Sequence, residues 1–135
     1  MMAWKAHPTY YPTIFLLAGM YNVGFAVWLL GWPHAVFDLF EIPQQWPTLW
    51  IQGVGVVIAL FGAGYLYAAW RMKHAWPIIL LGLGSKVVPP LAWIVLVSFG
   101  NWPLHTFFLI LFDDLIWWVP FTRFLLSTLQ LHGKE

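Results

Sequence analysis

Four apolar stretches, at 13–32, 50–70, 77–99 and 104–126, take up most of this 135-residue chain. Each is long enough to cross a hydrocarbon layer roughly 30 Å thick as a helix rising about 1.5 Å per residue. With 61% hydrophobic and only 8% charged residues, the composition lies outside the range of a soluble domain. The expected fold is an all-α membrane protein, an antiparallel bundle of four transmembrane helices forming one domain over 1–135. The first stretch is expected to remain in the mature protein, because its apolar run is too long for a signal peptide and no small-residue cleavage site follows it. The absence of cysteine excludes disulfides, thiolate metal sites and thiol chemistry. A formal charge of +1 with scattered basic residues gives no footprint for nucleic acid.

Tryptophan–proline pairs punctuate the chain at Trp32-Pro33, Trp46-Pro47, Trp76-Pro77 and Trp102-Pro103. Tryptophan favours the headgroup level and proline suits the first helical turn, so these pairs mark helix starts at the interface. Orientation follows from the cations. Lys5, Arg71, Lys73, Arg123 and Lys134 fall on one side of the four spans, and the other two loops hold no Lys or Arg. Both termini are expected on the cytoplasmic side, in a bacterial inner membrane.

The first outer loop carries His34, Asp38, Glu41 and Gln45 at helical spacing, opposite Val36, Phe37 and Phe40. That pattern predicts a short amphipathic interfacial helix over about 34–42. A metal site at His34, Asp38 and Glu41 is the sharper alternative, but solvation explains the same face without a ligand.

The spans themselves are not uniformly apolar. A charge at bilayer depth costs several kcal/mol, so such residues normally face a protein interior and find partners there. Lys86 lies roughly 14 Å into the third span, Asp113 and Asp114 roughly 15–17 Å into the fourth, and Asn22 roughly 14 Å into the first. All four therefore sit near the midplane. The short 100–103 connection makes the third and fourth spans neighbours, and a direct ion pair between Lys86 and Asp113 or Asp114 is expected. Asp113 shares a face with Thr106, Leu109 and Trp117, whereas Asp114 aligns with Phe107, Ile110 and Phe121, which makes the Asp113 face the more polar. Two acids and one base leave a negative charge unless a carboxyl holds a proton or a cation enters. The candidate substrate- or proton-binding residues are Lys86, Asp113, Asp114, Asn22, Thr106 and Ser85.

The third span also carries Gly82-x-Gly84-Ser85-Lys86 followed by Pro89-Pro90. Each proline lacks an N–H, which deprives the carbonyls of Ser85 and Lys86 of their usual acceptor role. A kink or break at the lysine is expected, of the kind from which transporters build midplane sites. The glycines of Gly53-x-Gly55 and Gly62-x-Gly64 in the second span read as a helix-packing face and lack any phosphate-binding context. Tyr65 is a candidate for lining an access path. His105 and Gln52, both near the outer interface, are candidates for a quinone site. Haem would need two histidines at matched depth on different helices, and none are visible. No cofactor is expected, with quinone and haem as the alternatives weighed.

Tyr21-Asn22, Gly62-x-Gly64-Tyr65 with Ala68-Ala69, Gly84-x-Lys86 and above all Asp114-Leu115-Ile116-Trp117-Trp118-Val119-Pro120-Phe121 resemble small four-helix bacterial membrane proteins of DoxX-like layout. Where that group tends to have Asn before the Asp, this chain has Asp113. The resemblance implies membrane quinone-linked oxidoreductase assemblies as one functional class. Two classes therefore compete. One is a small transport or proton-handling module built on Lys86, the aspartates and Asn22, working as a homo-oligomer. The other is a non-catalytic subunit of a larger membrane redox or photosynthetic complex, or a quinone- or lipid-binding component. An enzyme is not the favoured reading.

Overall fold

A computed structural model describes residues 8–43 and 46–132. Lys5, Gln45 and Lys134 lie outside the described residues. The described residues are helical throughout, with no strand among them. Four helical segments, Tyr10–Gly31, Thr48–Trp70, Met72–Phe99 and Leu104–Gln130, are long and apolar enough to cross a membrane.

The first segment is helix α1 (Tyr10–Gly31), followed by the short α2 (Ala35–Leu39), α3 (Thr48–Trp70) and α4 (Ala75–Phe99). The fourth segment is composite. A 3₁₀ turn (Leu104–Thr106) leads into α5 (Phe107–Ile110), then a π-helical turn (Leu111–Leu115), then α6 (Ile116–His132). Pro47 and Pro103 hold extended backbone immediately ahead of α3 and the 3₁₀ turn, with ψ of 137° and 143°. Their missing N–H groups fall where a helix has no acceptor for them.

Helices α1 and α3 meet along small residues. A methyl group at Gly19 would come within 2.7 Å of Leu66, one at Gly55 within 3.2 Å of Leu29, and one at Gly62 within 3.0 Å of Asn22. Backbones approach this closely only where no side chain intervenes. Gly82 serves the α3–α4 contact likewise, with the Tyr65 ring lying against its Cα.

Two apolar clusters flank the middle of the molecule. At one end Tyr11, Phe15, Tyr65, Ile79, Phe121 and Phe124 interlock, largely through edge-to-face ring contacts such as Phe15–Phe124 at 5.0 Å and Tyr65–Phe121 at 5.2 Å. At the other, Leu29, Val36, Phe37, Ile42 and Ile51 pack with Trp46 and Trp102. The buried Asn22, Lys86 and Asp114 fall between these clusters.

The short helix α2 ends in a way the sequence did not announce. Glu41 adopts a left-handed φ of 55°, the Ile42 N–H donates to the Phe37 carbonyl at 2.8 Å, and the Glu41 N–H donates to Asp38 at 3.3 Å. This is the Schellman arrangement, including its contact between Ile42 and Phe37, but without the usual glycine. The expected helix over 34–42 is thus shortened, and Glu41 is carried off the face it was expected to share with His34 and Asp38.

Candidate functional site

The four midplane residues do come together. Asn22 from α1, Ser85 and Lys86 from α4, and Asp113 and Asp114 from the π-helical turn all line one cavity of about 590 Å³. Three of these polar residues are almost completely buried, with relative exposures of 4% for Asn22, 3% for Lys86 and 2% for Asp114. The remaining walls are apolar, from Phe25 and Leu29 on α1 and Val54, Val57 and Phe61 on α3, up to Trp46, Trp50 and Trp102 at the far end. Along α3 the lining runs from Trp50 to Phe61, roughly 16 Å of helix. The cavity is therefore a long apolar chamber with a polar floor.

The contact made by Lys86 differs from the expected ion pair. Its ammonium donates to the main-chain carbonyl of Asp113 at 2.7 Å, and among the described residues it is in ion-pair contact with neither carboxylate. The π-helical turn is the reason. Within it hydrogen bonds run from i to i+5, so a carbonyl leaves the regular i to i+4 ladder and becomes available to a side chain. The ammonium also lies 5.7 Å from the centre of the Tyr65 ring.

Both aspartates line the cavity, but they are buried to different extents. Asp114 is buried on one stripe with Trp117, Phe121 and Phe124, while Asp113 is only partly buried. Asp114 thus shares a face with Phe121, as expected from the i+7 spacing, and with Trp117, which was expected on the Asp113 face.

Helix α4 is continuous through Pro89 and Pro90, so the expected break at the lysine is absent. The donor that Pro90 lacks is replaced from elsewhere. The Trp118 indole N–H donates to the Lys86 carbonyl at 3.0 Å, and the Ser85 hydroxyl donates to the Gly82 carbonyl at 2.7 Å. In the sequence Trp118 stands out only as part of the Asp114–Phe121 string. The usable signal was its depth, since a buried indole N–H requires an acceptor.

Several sequence candidates are placed away from the cavity. Thr106, fully buried, donates to the Pro103 carbonyl at 2.6 Å and accepts from the Trp93 indole at 2.8 Å, so its hydroxyl is used up locally. The His105 ring is hydrogen-bonded to the Phe40 carbonyl at 2.8 Å, and the Gln52 amide donates to the Leu30 carbonyl at 3.1 Å. His105 ties the fourth segment to the loop after α2, Gln52 ties α3 to the end of α1, and neither lines the cavity. Tyr65 is sealed in the first cluster rather than along an access path. His34 pairs with the Thr48 hydroxyl at 2.9 Å. Among the described residues no three His, Asp or Glu side chains come together as metal ligands, so the alternative at His34, Asp38 and Glu41 is not formed.

What the floor lacks is partners. The Asn22 Oδ1, Asp113 Oδ1 and Asp114 Oδ2 atoms are buried with no hydrogen-bond donor. Buried acceptors are normally satisfied, because leaving one bare costs about 1–3 kcal/mol. Three on one cavity floor are the signature of a place where something else binds.

No protein-family model, curated protein or solved structure matches this chain.

Proposed function

We propose that this chain is a multi-pass membrane protein that takes a small, mainly apolar molecule into the interhelical cavity and handles its polar end on the floor formed by Asn22, Lys86, Asp113 and Asp114. The observation that carries the reading is the conjunction of an apolar chamber of about 590 Å³ with three unpartnered buried acceptors at its polar end. Ligand sites are typically concave, a few hundred Å³, mostly apolar, and oriented by a few polar groups. A strut holding two helices in register would need the lysine and the carbonyl, not the chamber.

In this reading the spans form an antiparallel bundle, with α2 lying at the outer interface and both termini cytoplasmic in a bacterial inner membrane. Arg71 and Lys73, beside the first apolar cluster, and Arg123, between Phe121 and Phe124 of that cluster, support it, as does the absence of Lys and Arg from 33–47 and 100–103. The DoxX-like likeness rests on the Asp114–Phe121 string and is compatible with a small molecule drawn from the bilayer.

The experiment is equilibrium dialysis of N-phenyl-1-naphthylamine against the protein in lipid nanodiscs, with empty nanodiscs subtracted. Saturable binding near one probe per chain is expected. Gly53 lines the cavity and a side chain there meets nothing within 4 Å, so Gly53→Trp should fill the chamber and abolish binding without unfolding the protein. Uptake no greater than that of empty nanodiscs, or uptake unchanged in Gly53→Trp, would overturn the proposal.

A further inference from the structure

We infer that the molecule held in the cavity carries a hydroxyl head, alcohol or phenol, which accepts from the Lys86 ammonium and donates to one of the acceptors of Asn22, Asp113 and Asp114. The inference rests on reading the cavity as a ligand site and adds the chemistry of the ligand's polar end.

Donors and acceptors on the floor are unequally matched. An ammonium has three N–H groups, and one of those on Lys86 is used on the Asp113 carbonyl. Opposite it stand three buried oxygen atoms, Asn22 Oδ1, Asp113 Oδ1 and Asp114 Oδ2, with nothing donating to them. Asn22 is independent of the acidic pair: it comes from α1, is held there by the close approach of Gly62, and is itself almost wholly buried. The head that fits must accept from the ammonium and donate to an oxygen. A hydroxyl does both. An ether only accepts and leaves the three oxygens bare. A carboxylate brings a third acid to a floor with a single base. A protonated amine donates, but it cannot accept from Lys86.

The same chemistry explains why the body should be apolar. Above the floor the walls are Phe25, Leu29, Val57 and Ile58, closing toward Trp46 and Trp102. Desolvating a hydroxyl in such surroundings is tolerable only where both its hydrogen-bonding roles are filled.

The test compares 2-naphthol, 2-methoxynaphthalene and 2-naphthoate by equilibrium dialysis against the protein in lipid nanodiscs, again with empty nanodiscs subtracted. Hydrogen bonds to charged groups make 2-naphthol bind roughly tenfold or more tightly than its methyl ether, and 2-naphthoate bind weakest. Equal binding of phenol and ether, or preference for the carboxylate, would overturn the hydroxyl assignment while leaving the cavity reading standing. Binding of none of the three would overturn both. Asn22→Leu should reduce the phenol-to-ether ratio severalfold, and an unchanged ratio would remove Asn22 from the assignment. If that variant does not fold, the ratio in the unmodified protein decides the matter alone.

Discussion

The Lys86 ammonium is bound to the main-chain carbonyl of Asp113 at 2.7 Å, and not to the carboxylate of either aspartate. A buried cation is thereby anchored to a neutral group that cannot leave by protonation. The carboxylates remain free to face the cavity, and the helix that supplies the carbonyl is held in its π-helical form at that point.

Removing the amine should therefore cost stability by two routes. Lys86→Met leaves the Asp113 carbonyl without its donor and two acidic side chains without a counter-charge, a loss of about 3–5 kcal/mol by analogy with other broken buried pairs. Thermal unfolding in detergent should show a marked fall in Tm. Adding Asp114→Asn should recover part of the loss, a positive coupling that a double-mutant cycle measures. Strict additivity would mean that the two side chains do not interact.

The pairing of Trp118 with Pro90 makes a second prediction. Trp118→Phe keeps most of the ring but deletes the N–H that serves the Lys86 carbonyl, and should destabilise by about 1–3 kcal/mol. Pro90→Ala restores a backbone N–H four residues after Lys86. In the Trp118→Phe background it should return most of the stability, whereas alone it should gain little. Chemical unfolding of the four proteins distinguishes this from a simple packing loss, which Pro90→Ala would not repair.

How far this could be read from the chain depends on where the determining atoms sit. The apolar runs at 13–32 and 104–126 reappear in Tyr10–Gly31 and Leu104–Gln130 because length and hydropathy are local properties. The common depth of Asn22, Lys86, Asp113 and Asp114 follows from helix rise alone. The π-helical turn left no mark in Leu-Phe-Asp-Asp-Leu, so the carbonyl contact was beyond a reading based on regular helical phase. Pro89-Pro90 pointed to a break because the compensating donor, Trp118, lies 32 residues away in sequence. The cavity itself is a property of four helices failing to meet, and no single segment encodes it.

Glycine positions give a prediction about packing. Gly82→Ala would place a methyl group 2.5 Å from Tyr65 Cε1 and 2.6 Å from its hydroxyl, and should destabilise by about 1–3 kcal/mol through overpacking. Gly24→Ala meets nothing within 4 Å and should be neutral or stabilising by up to about 1 kcal/mol, since alanine is the better helix former. Parallel melting curves check both, and a similar response at the two sites would contradict the close α3–α4 approach.

The turn after α2 offers a stabilising change. Glu41 holds a left-handed backbone at φ 55°, a conformation costing a non-glycine residue roughly 1–2 kcal/mol. Glu41→Gly should raise stability by about 1 kcal/mol and Glu41→Val should lower it. A fall in Tm for the glycine variant would show that the carboxylate has a role the Schellman turn does not account for.

The account stands or falls on whether the floor carboxylates are the groups a bound head touches. Aspartate occurs in this chain only at positions 38, 113 and 114, so infrared difference spectra of protein labelled with 13C-aspartate report chiefly on the two floor residues when a ligand enters. Addition of 2-naphthol to the labelled protein in nanodiscs should shift the labelled carboxyl bands, 2-methoxynaphthalene should not, and Asp114→Asn should remove most of the shift. Saturable binding of 2-naphthol with those bands unmoved would contradict it.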